Sequence, residues 1–380
     1  MMVQVFCFCL CILVYIYFGY PGVIFLISYF SGRGVRKGDY EPSVTILIAA
    51  YNEAQHIQAN IENKLALEYT KEKLEIIVIS DGSEDGTDEI VKSFTSRGVR
   101  LIRQEPRKGK TSALNLAVPH AHGEIIVFSD ANSIYDQDAL RHLIENFADP
   151  KVGYVTGKMV YVNPDGTTIG DGCSAYMKYE NLLRTFETRI GSIVGVDGGI
   201  DAVRKSLYRP MKADQLPDFV LPLTVTEHGY RVVYEPRALL MEETLKNSED
   251  EYRMRVRVSL RALWALWDMR KLLNPKRYGV FSLQLLSHKV LRYSGILFMI
   301  GAYIGNAFIL SRSIFFRIIL LIQTIFYSAA LAGYVLEKKG SFSRILYIPY
   351  YFCLINIAAG HALIRFLCGE KQVLWTPRKG

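Results

Sequence analysis

Between Val3 and Phe30 the chain carries no charged residue. About twenty apolar residues suffice for a helix to cross a bilayer. The run is longer than the core of a signal peptide and no basic stretch precedes it, so it reads as a signal anchor, with Pro21 set to kink it. A spanning helix here constrains the rest, because flanking charge then decides which face each later segment takes. Arg33, Arg36 and Lys37 follow at once, and a basic flank marks the cytoplasmic side. The middle of the chain is therefore expected there, as part of a multi-pass protein of the cytoplasmic membrane.

Three more apolar segments, about residues 291–310, 314–336 and 345–364, read as further spans. Arg317 sits near enough to an end to snorkel. Lys338, Lys339 and Arg344 set the loop before the last segment on the cytoplasmic side. Four spans in all then leave the basic tail residues Arg365, Lys371, Arg378 and Lys379 on the opposite side, a conflict within the charge pattern itself. Over residues 251–272, Val256, Leu260, Leu263, Trp264 and Trp267 recur at helical spacing among Arg253, Arg257, Arg261, Arg270 and Lys271. That pattern predicts a basic amphipathic helix in the membrane interface, with a second one over 281–292. The net charge of +8 gathers largely in these flanking stretches, which favours a membrane surface and argues against nucleic acid as a partner. Six cysteines without a CxxC pair give no zinc pattern and no disulfide framework.

The middle reads as a soluble domain. Residues 43–50, 74–80, 99–103 and 124–129 are short β-branched apolar runs. They alternate with helical stretches at 54–67, 87–95 and 111–118, which predicts an α/β domain with a mainly parallel sheet. Ligands of such sheets bind beyond the carboxyl ends of the strands. Polar residues stand there: Tyr51, Asn52 and Glu53 after the first strand, Asp81, Gly82 and Ser83 after the second, Asp130 and Asn132 after the fourth. No GxGxxG and no GxxxxGK[ST] is present, which disfavours a dinucleotide or Walker-type site. The expected division is an anchor at 1–31, the α/β domain at 42–245, interface helices at 248–290, about three spans at 291–366 and a tail at 367–380.

Over residues 42–264 the chain resembles the family 2 glycosyltransferases of GT-A fold, and its flanks resemble the membrane-bound polysaccharide-synthesising members. The resemblance rests on Ala50-Tyr51-Asn52-Glu53, Ser80-Asp81-Gly82-Ser83, Arg107-Lys108-Gly109-Lys110 with Ala113-Leu114-Asn115, Ser129-Asp130-Ala131-Asn132, Gly198-Gly199, and Asp218 followed by Glu227-His228-Gly229-Tyr230-Arg231. It implies that Asp81 accepts a hydrogen bond from the base and that Ala50, Tyr51, Asn52 and Glu53 hold base and ribose. Lys108 and Lys110 would face the diphosphate. Asp130 and Asn132 would hold a divalent cation, Mg²⁺ or Mn²⁺, with Asn132 standing where a second Asp is frequent. Asp218 would be the catalytic base, ahead of its neighbour Asp214, although Pro217 replaces the acid that often precedes it. Asp197, Gly198 and Gly199 would border the acceptor. Processive members carry QxxRW on the interface helix; here only Arg255 remains, and Arg255 or Arg257 would touch the diphosphate. Singly, each piece has a plainer reading: Asp81 in a turn, Asp130 and Asp218 as helix caps, the lysines on a solvated loop, the glycines in a turn, Arg255 at lipid headgroups, Trp264 as an interface anchor.

The resulting expectation is an inverting transfer of a sugar from a nucleotide donor, UDP-linked, to a polysaccharide or lipid-linked acceptor. A polyprenyl-phosphate sugar transferase is the alternative. A non-catalytic membrane sensor of nucleotide or glycan is the rival of another class, and retention of both Asp130 and Asp218 speaks against it.

Overall fold

The computed structural model describes residues 1–162, 172–243, 248–339 and 344–373. Arg378 and Lys379, and the side chain of Arg344, lie outside the described residues. The chain forms two compact units. One is helical and comprises Met1–Phe30, Ile169–Leu183 and Leu245–Glu370; the other holds Ser31–Thr168 and Arg184–Thr244. The α/β domain expected at 42–245 is thus interrupted by a stretch that packs with the helical unit.

Among the described residues the α/β unit holds eight strands: β1 (Val44–Ala50), β2 (Leu74–Ser80), β3 (Val99–Arg103), β4 (Ile125–Asp130), β5 (Ile134–Tyr135), β6 (Val152–Val162), β7 (Asp201–Arg204) and β8 (Arg231–Glu243). They form one sheet in the order β3-β2-β1-β4-β7-β6-β8-β5. The first four match the sequence expectation and run parallel, with all seven residues of β1 buried, as a strand covered on both faces requires. Beyond β4 the mainly parallel sheet gives way to a mixed one. Strand β7 runs against both β4 and β6, and β5 against β8, while β6 and β8 are parallel. The antiparallel β7 makes Asp201 the partner of Phe128, so a strand begins where its parallel neighbours end.

Among the described residues, three helices are long and apolar enough to cross a membrane: Met2–Ser31, Ile314–Lys338 and Ile345–Leu367. The expected span at 291–310 is divided by a turn at Ser294 into Leu291–Tyr293 and the 13-residue helix Gly295–Ala307. At 1.5 Å per residue the latter reaches about 20 Å, short of the ~30 Å hydrocarbon layer. Leu321, Ile322, Ile325 and Leu331 of Ile314–Lys338 are exposed, as side chains facing lipid would be. Pro21 has no N–H to give the carbonyl of Tyr17, one turn back. A π-turn over Tyr15–Gly19 absorbs the mismatch, and the Tyr179 hydroxyl donates to that carbonyl at 3.2 Å. The amphipathic helix forms over Ser248–Asp268. Its apolar stripe is covered: Val256 and Leu260 pack on Ala358 and Ala362 of the helix Arg344–Leu367, and the small alanines permit the close approach. Trp264 donates its indole N–H to the Glu370 carbonyl at 2.7 Å, whereas Trp267 stays exposed.

Candidate active site

The site is assembled at the carboxyl edge of β1, β2 and β4. Registers Ala50↔Ser80 and Ala49↔Asp130 bring the three polar strand ends level, and the Asp81 N–H donates to the Ala50 carbonyl at 2.9 Å. Asn52 takes a left-handed conformation (φ 54°), which an Asn tolerates better than most residues. That bend lets its N–H donate to Ser83 Oγ and its Oδ1 accept from the Glu84 N–H. The Glu53 N–H donates to Thr87 Oγ1, so the first loop is tied to the second.

Asp81 is buried. Its carboxylate accepts from the Lys108 N–H at 2.9 Å, the Gly109 N–H at 2.9 Å and the Gln104 side-chain amide. Asp81 therefore fixes the Arg107–Lys110 loop, beyond any contact with a base. The Arg107 guanidinium lies 3.4 Å from the centre of the Tyr51 ring, and Lys108 is exposed. Once the loop is held, the helix Lys110–Ala117 begins at Lys110 and aims that side chain inward.

Lys110 is where the site converges. Its ammonium lies 2.6 Å from Asp130 Oδ1 and 3.8 Å from Asp218 Oδ2. Burial works against its charge, but Asp130 and Asp218 outweigh burial and hold its pKa above the ordinary lysine value. Asp218 sits in the first turn of the helix Pro217–Glu227, where Pro217 suits a position that needs no intrahelical N–H. The chain leading into that helix is bolted to Lys110–Ala117. Asn115 accepts from the Tyr208 hydroxyl and the Met211 N–H and donates to the Met211 carbonyl, while Thr111 donates to the Gln215 carbonyl. Asp214, the rival base, is paired with Lys371 at 2.5 Å.

Gly198 and Gly199 both have positive φ, 80° and 77°. A Cβ on Gly198 would stand 2.9 Å from Asp218 Oδ2, and one on Gly199 3.8 Å from Asp130 Oδ2. The glycines thus border the space in front of both carboxylates. Asp197 faces elsewhere: its two oxygens take both Arg184 nitrogens in a bidentate pair, which anchors the turn. Arg255 and Arg257 lie on Ser248–Asp268 in the helical unit, and Arg255 is held by Glu251 at 2.8 Å and the Tyr351 hydroxyl at 2.9 Å.

Among the described residues no group of three or more His, Cys, Asp or Glu is placed to hold a metal by itself. Asp130, with its side chain 37% exposed, and Asn132 offer oxygens of the hard kind that Mg²⁺ or Mn²⁺ prefers. A cation that brings its remaining ligands as water and diphosphate oxygens fits this donor set.

Sequence reading missed several supporting residues. Asn60 donates to the Asp130 and Ser133 carbonyls, and the buried Lys64 to the Ser133 carbonyl, so one helix holds the turn after β4. The Tyr135 hydroxyl donates to the Gly199 carbonyl at 2.6 Å. Asp201 is wholly buried, with Tyr154 and Thr156 beside its carboxyl and no cation paired with it among the described residues. Burial, with Asp218 next, pushes its pKa well above the carboxylate range.

Residues 45–208 match the family described as Glycosyl transferase family 2. The poly-β-1,6-N-acetyl-D-glucosamine synthase of Staphylococcus aureus (strain COL) is 33% identical over 211 residues, 53% of this chain and 51% of that protein. The synthase of the same name from Staphylococcus epidermidis is 29% identical over 245 residues, 60% and 58% of the two chains. The chain thus spans only about half the length of these curated relatives. A mannosyltransferase from Pyrobaculum calidifontis, solved with GDP-Man and Mn²⁺, superposes with a TM-score of 0.73 over 96% of this chain and 99% of its own, at 22% identity, a likeness of fold. The α/β unit has the GT-A fold, and residues 45–208 within it match the glycosyl transferase family 2.

Proposed function

We propose that the chain is an inverting glycosyltransferase of the cytoplasmic membrane. It would move a sugar from a UDP-linked donor to a growing glycan or a lipid-linked acceptor. The observation that carries this reading is the meeting of Lys110, Asp130 and Asp218, from three separate segments, in front of Gly198 and Gly199. Asp218 takes the proton from the acceptor hydroxyl, which requires a carboxylate within hydrogen-bond reach. Attack from that side inverts the anomeric carbon. Lys110 faces the leaving diphosphate with fixed positive charge. Asp130 and Asn132 would hold Mg²⁺ or Mn²⁺, whose chemistry is to offset charge on that diphosphate. Tyr51, Asn52, Glu53 and Asp81 border the base and ribose, and the backbone at Gly198 and Gly199 gives the acceptor close approach.

The names of the staphylococcal relatives put UDP-GlcNAc first among donors. Counting the three long helices as the spans, one before the catalytic unit and two after it, would return the tail to the cytoplasmic side, which its charge favours. The cost is to set the short connection after Lys338 on the far side. The test incubates purified chain and native membrane with UDP-GlcNAc, UDP-glucose and GDP-mannose in Mg²⁺ or Mn²⁺. Nucleotide release with one donor supports the reading, and no turnover with any of them overturns it.

A further inference from the structure

The helical unit encloses a cavity of about 80 Å³. Arg255, Lys289, Arg292 and His288 line it, together with tyrosines and Asn356. No Asp or Glu is among its lining residues. Two cations are anchored from behind the wall. Glu180 binds the Arg292 guanidinium and lies 3.2 Å from His288 Nε2, and Glu251 holds Arg255. Tyr176 stacks near both guanidinium groups, 5.4 Å from Arg255 and 5.3 Å from Arg292. These arginines are therefore preorganised, with little side-chain freedom left to lose on binding.

Two breaks in helical regularity face the same cavity. Tyr17 comes from the π-turn Tyr15–Gly19, and His288 and Lys289 from a second π-turn, Leu286–Val290. The Tyr15 and Ser287 hydroxyls join the two turns at 2.8 Å. Such turns are rare and concentrate at functional sites. Here they deliver a hydroxyl, an imidazole and an ammonium to one space. Glu180 and Glu251 set two carboxylates against the three fixed cations Arg255, Lys289 and Arg292, and an excess of positive charge around one space suits an anion. The volume is ample for a phosphate group and several waters. Arginine forks match phosphate oxygens in pairs. Val258, Ile355 and Ala359 complete the wall with apolar surface suited to the first carbons of an alkyl chain.

We propose that this cavity binds the phosphate group of a phosphorylated amphiphile. The anion accepts from Arg255, Lys289 and Arg292, and the tyrosine hydroxyls supply neutral donors. Its lining residues all belong to the helical unit and none is among the donor residues named in the proposed function, so its test needs no nucleotide sugar, and its failure would leave the transferase reading standing.

The experiment titrates the full purified chain, in detergent, with dodecyl phosphate, inorganic phosphate and dodecanol by isothermal calorimetry. Dodecyl phosphate is expected to bind at least about tenfold more tightly than dodecanol, since a charged hydrogen-bonded group contributes more than about 1.4 kcal/mol. Preference for dodecyl phosphate over inorganic phosphate assigns the source as a lipid. Equal binding of the two assigns a free phosphate, which retains the anion site and overturns the amphiphile. Lys289→Gln is expected to weaken the phosphate ligands about tenfold and leave dodecanol unchanged. Should that variant not fold, Arg255→Lys, which keeps charge but loses the fork, serves the same purpose. Equal affinity for dodecyl phosphate and dodecanol, or no binding of either phosphate, overturns the proposal without any variant.

Discussion

Gly198→Ala separates geometry from stability at the candidate active site. At φ 80° an alanine costs about 1–2 kcal/mol in backbone strain. Its Cβ would also stand 2.9 Å from Asp218 Oδ2 and 3.1 Å from Asp218 Cγ. Ordinary contact begins near 3.4 Å, so the carboxylate must give by several tenths of an ångström. It is the free end of a side chain and gives cheaply, so little further stability is lost. The displacement falls on the atom that must meet the acceptor proton. A 1 Å misplacement costs up to about 10²-fold in rate, so roughly tenfold is expected here. Gly229→Ala is the control: its φ is 84° and no atom lies within 4 Å of the added Cβ. Both variants should lose similar stability on thermal denaturation. Only Gly198→Ala should lose nucleotide-release rate at saturating donor, with nucleotide affinity held within about threefold, since the shift leaves the donor loops untouched. Equal loss of rate in both variants, or a Gly198→Ala rate within twofold of the parent, would refute the placement of Asp218 beside the reacting atoms.

Asp218→Asn should abolish turnover and keep nucleotide binding, measured by calorimetry; intact turnover removes Asp218 from the role. Asp81→Ala leaves the Lys108 and Gly109 N–H groups and the Gln104 amide without their acceptor. About 1–3 kcal/mol of stability should go, seen on denaturation, along with nucleotide affinity. Asp201 holds its proton in the folded chain above the unfolded carboxyl value, so its contribution to stability falls as pH rises past about 4. The melting temperature of Asp201→Asn should therefore gain on the parent between pH 4 and 8, and a constant difference would count against a buried neutral acid. Chelation with EDTA should stop turnover and added Mn²⁺ or Mg²⁺ restore it; full activity in EDTA would refute a role for Asp130 and Asn132 as ligands.

The first half of the sheet is legible in the sequence because its strands are covered on both faces. Such strands read as unbroken runs, and the four predicted stretches coincide with β1 to β4 to within a residue or so. The second half follows no such rule. Strand β5 has two residues and β7 has four, too short to carry a period, and β7 reverses direction for reasons of tertiary pairing. The strand-end residues were legible because turn chemistry and carboxylates stand together after apolar runs. Asn60 and Lys64 were not, because a polar pair four apart on a helix reads as a solvated face, yet here that face is turned into the turn after β4. Asp197 illustrates the opposite error. Its place beside two glycines suggested contact with an acceptor, and only the fold reveals Arg184 across from it. The apolar stripe of Ser248–Asp268 was legible as a face but its cover was not, because sequence periodicity reports a face without saying what packs on it.

The reversal at β7 has a consequence for how such a site can change. Lys110, Asp130 and the loops after β1 and β2 stand on the parallel strands, whereas Gly198 and Gly199 arrive on the incoming end of an antiparallel one. The two sides of the crevice are written in different stretches of chain and meet through the pairing of β4 with β7, through Tyr135 and Gly199, and through Asn115 and its neighbours. On the proposed reading, residues 193–200 and 205–215, either side of β7, would be open to exchange for another acceptor while the half assigned to the donor keeps its register. Asn115 marks the seam across which such a graft would have to fit.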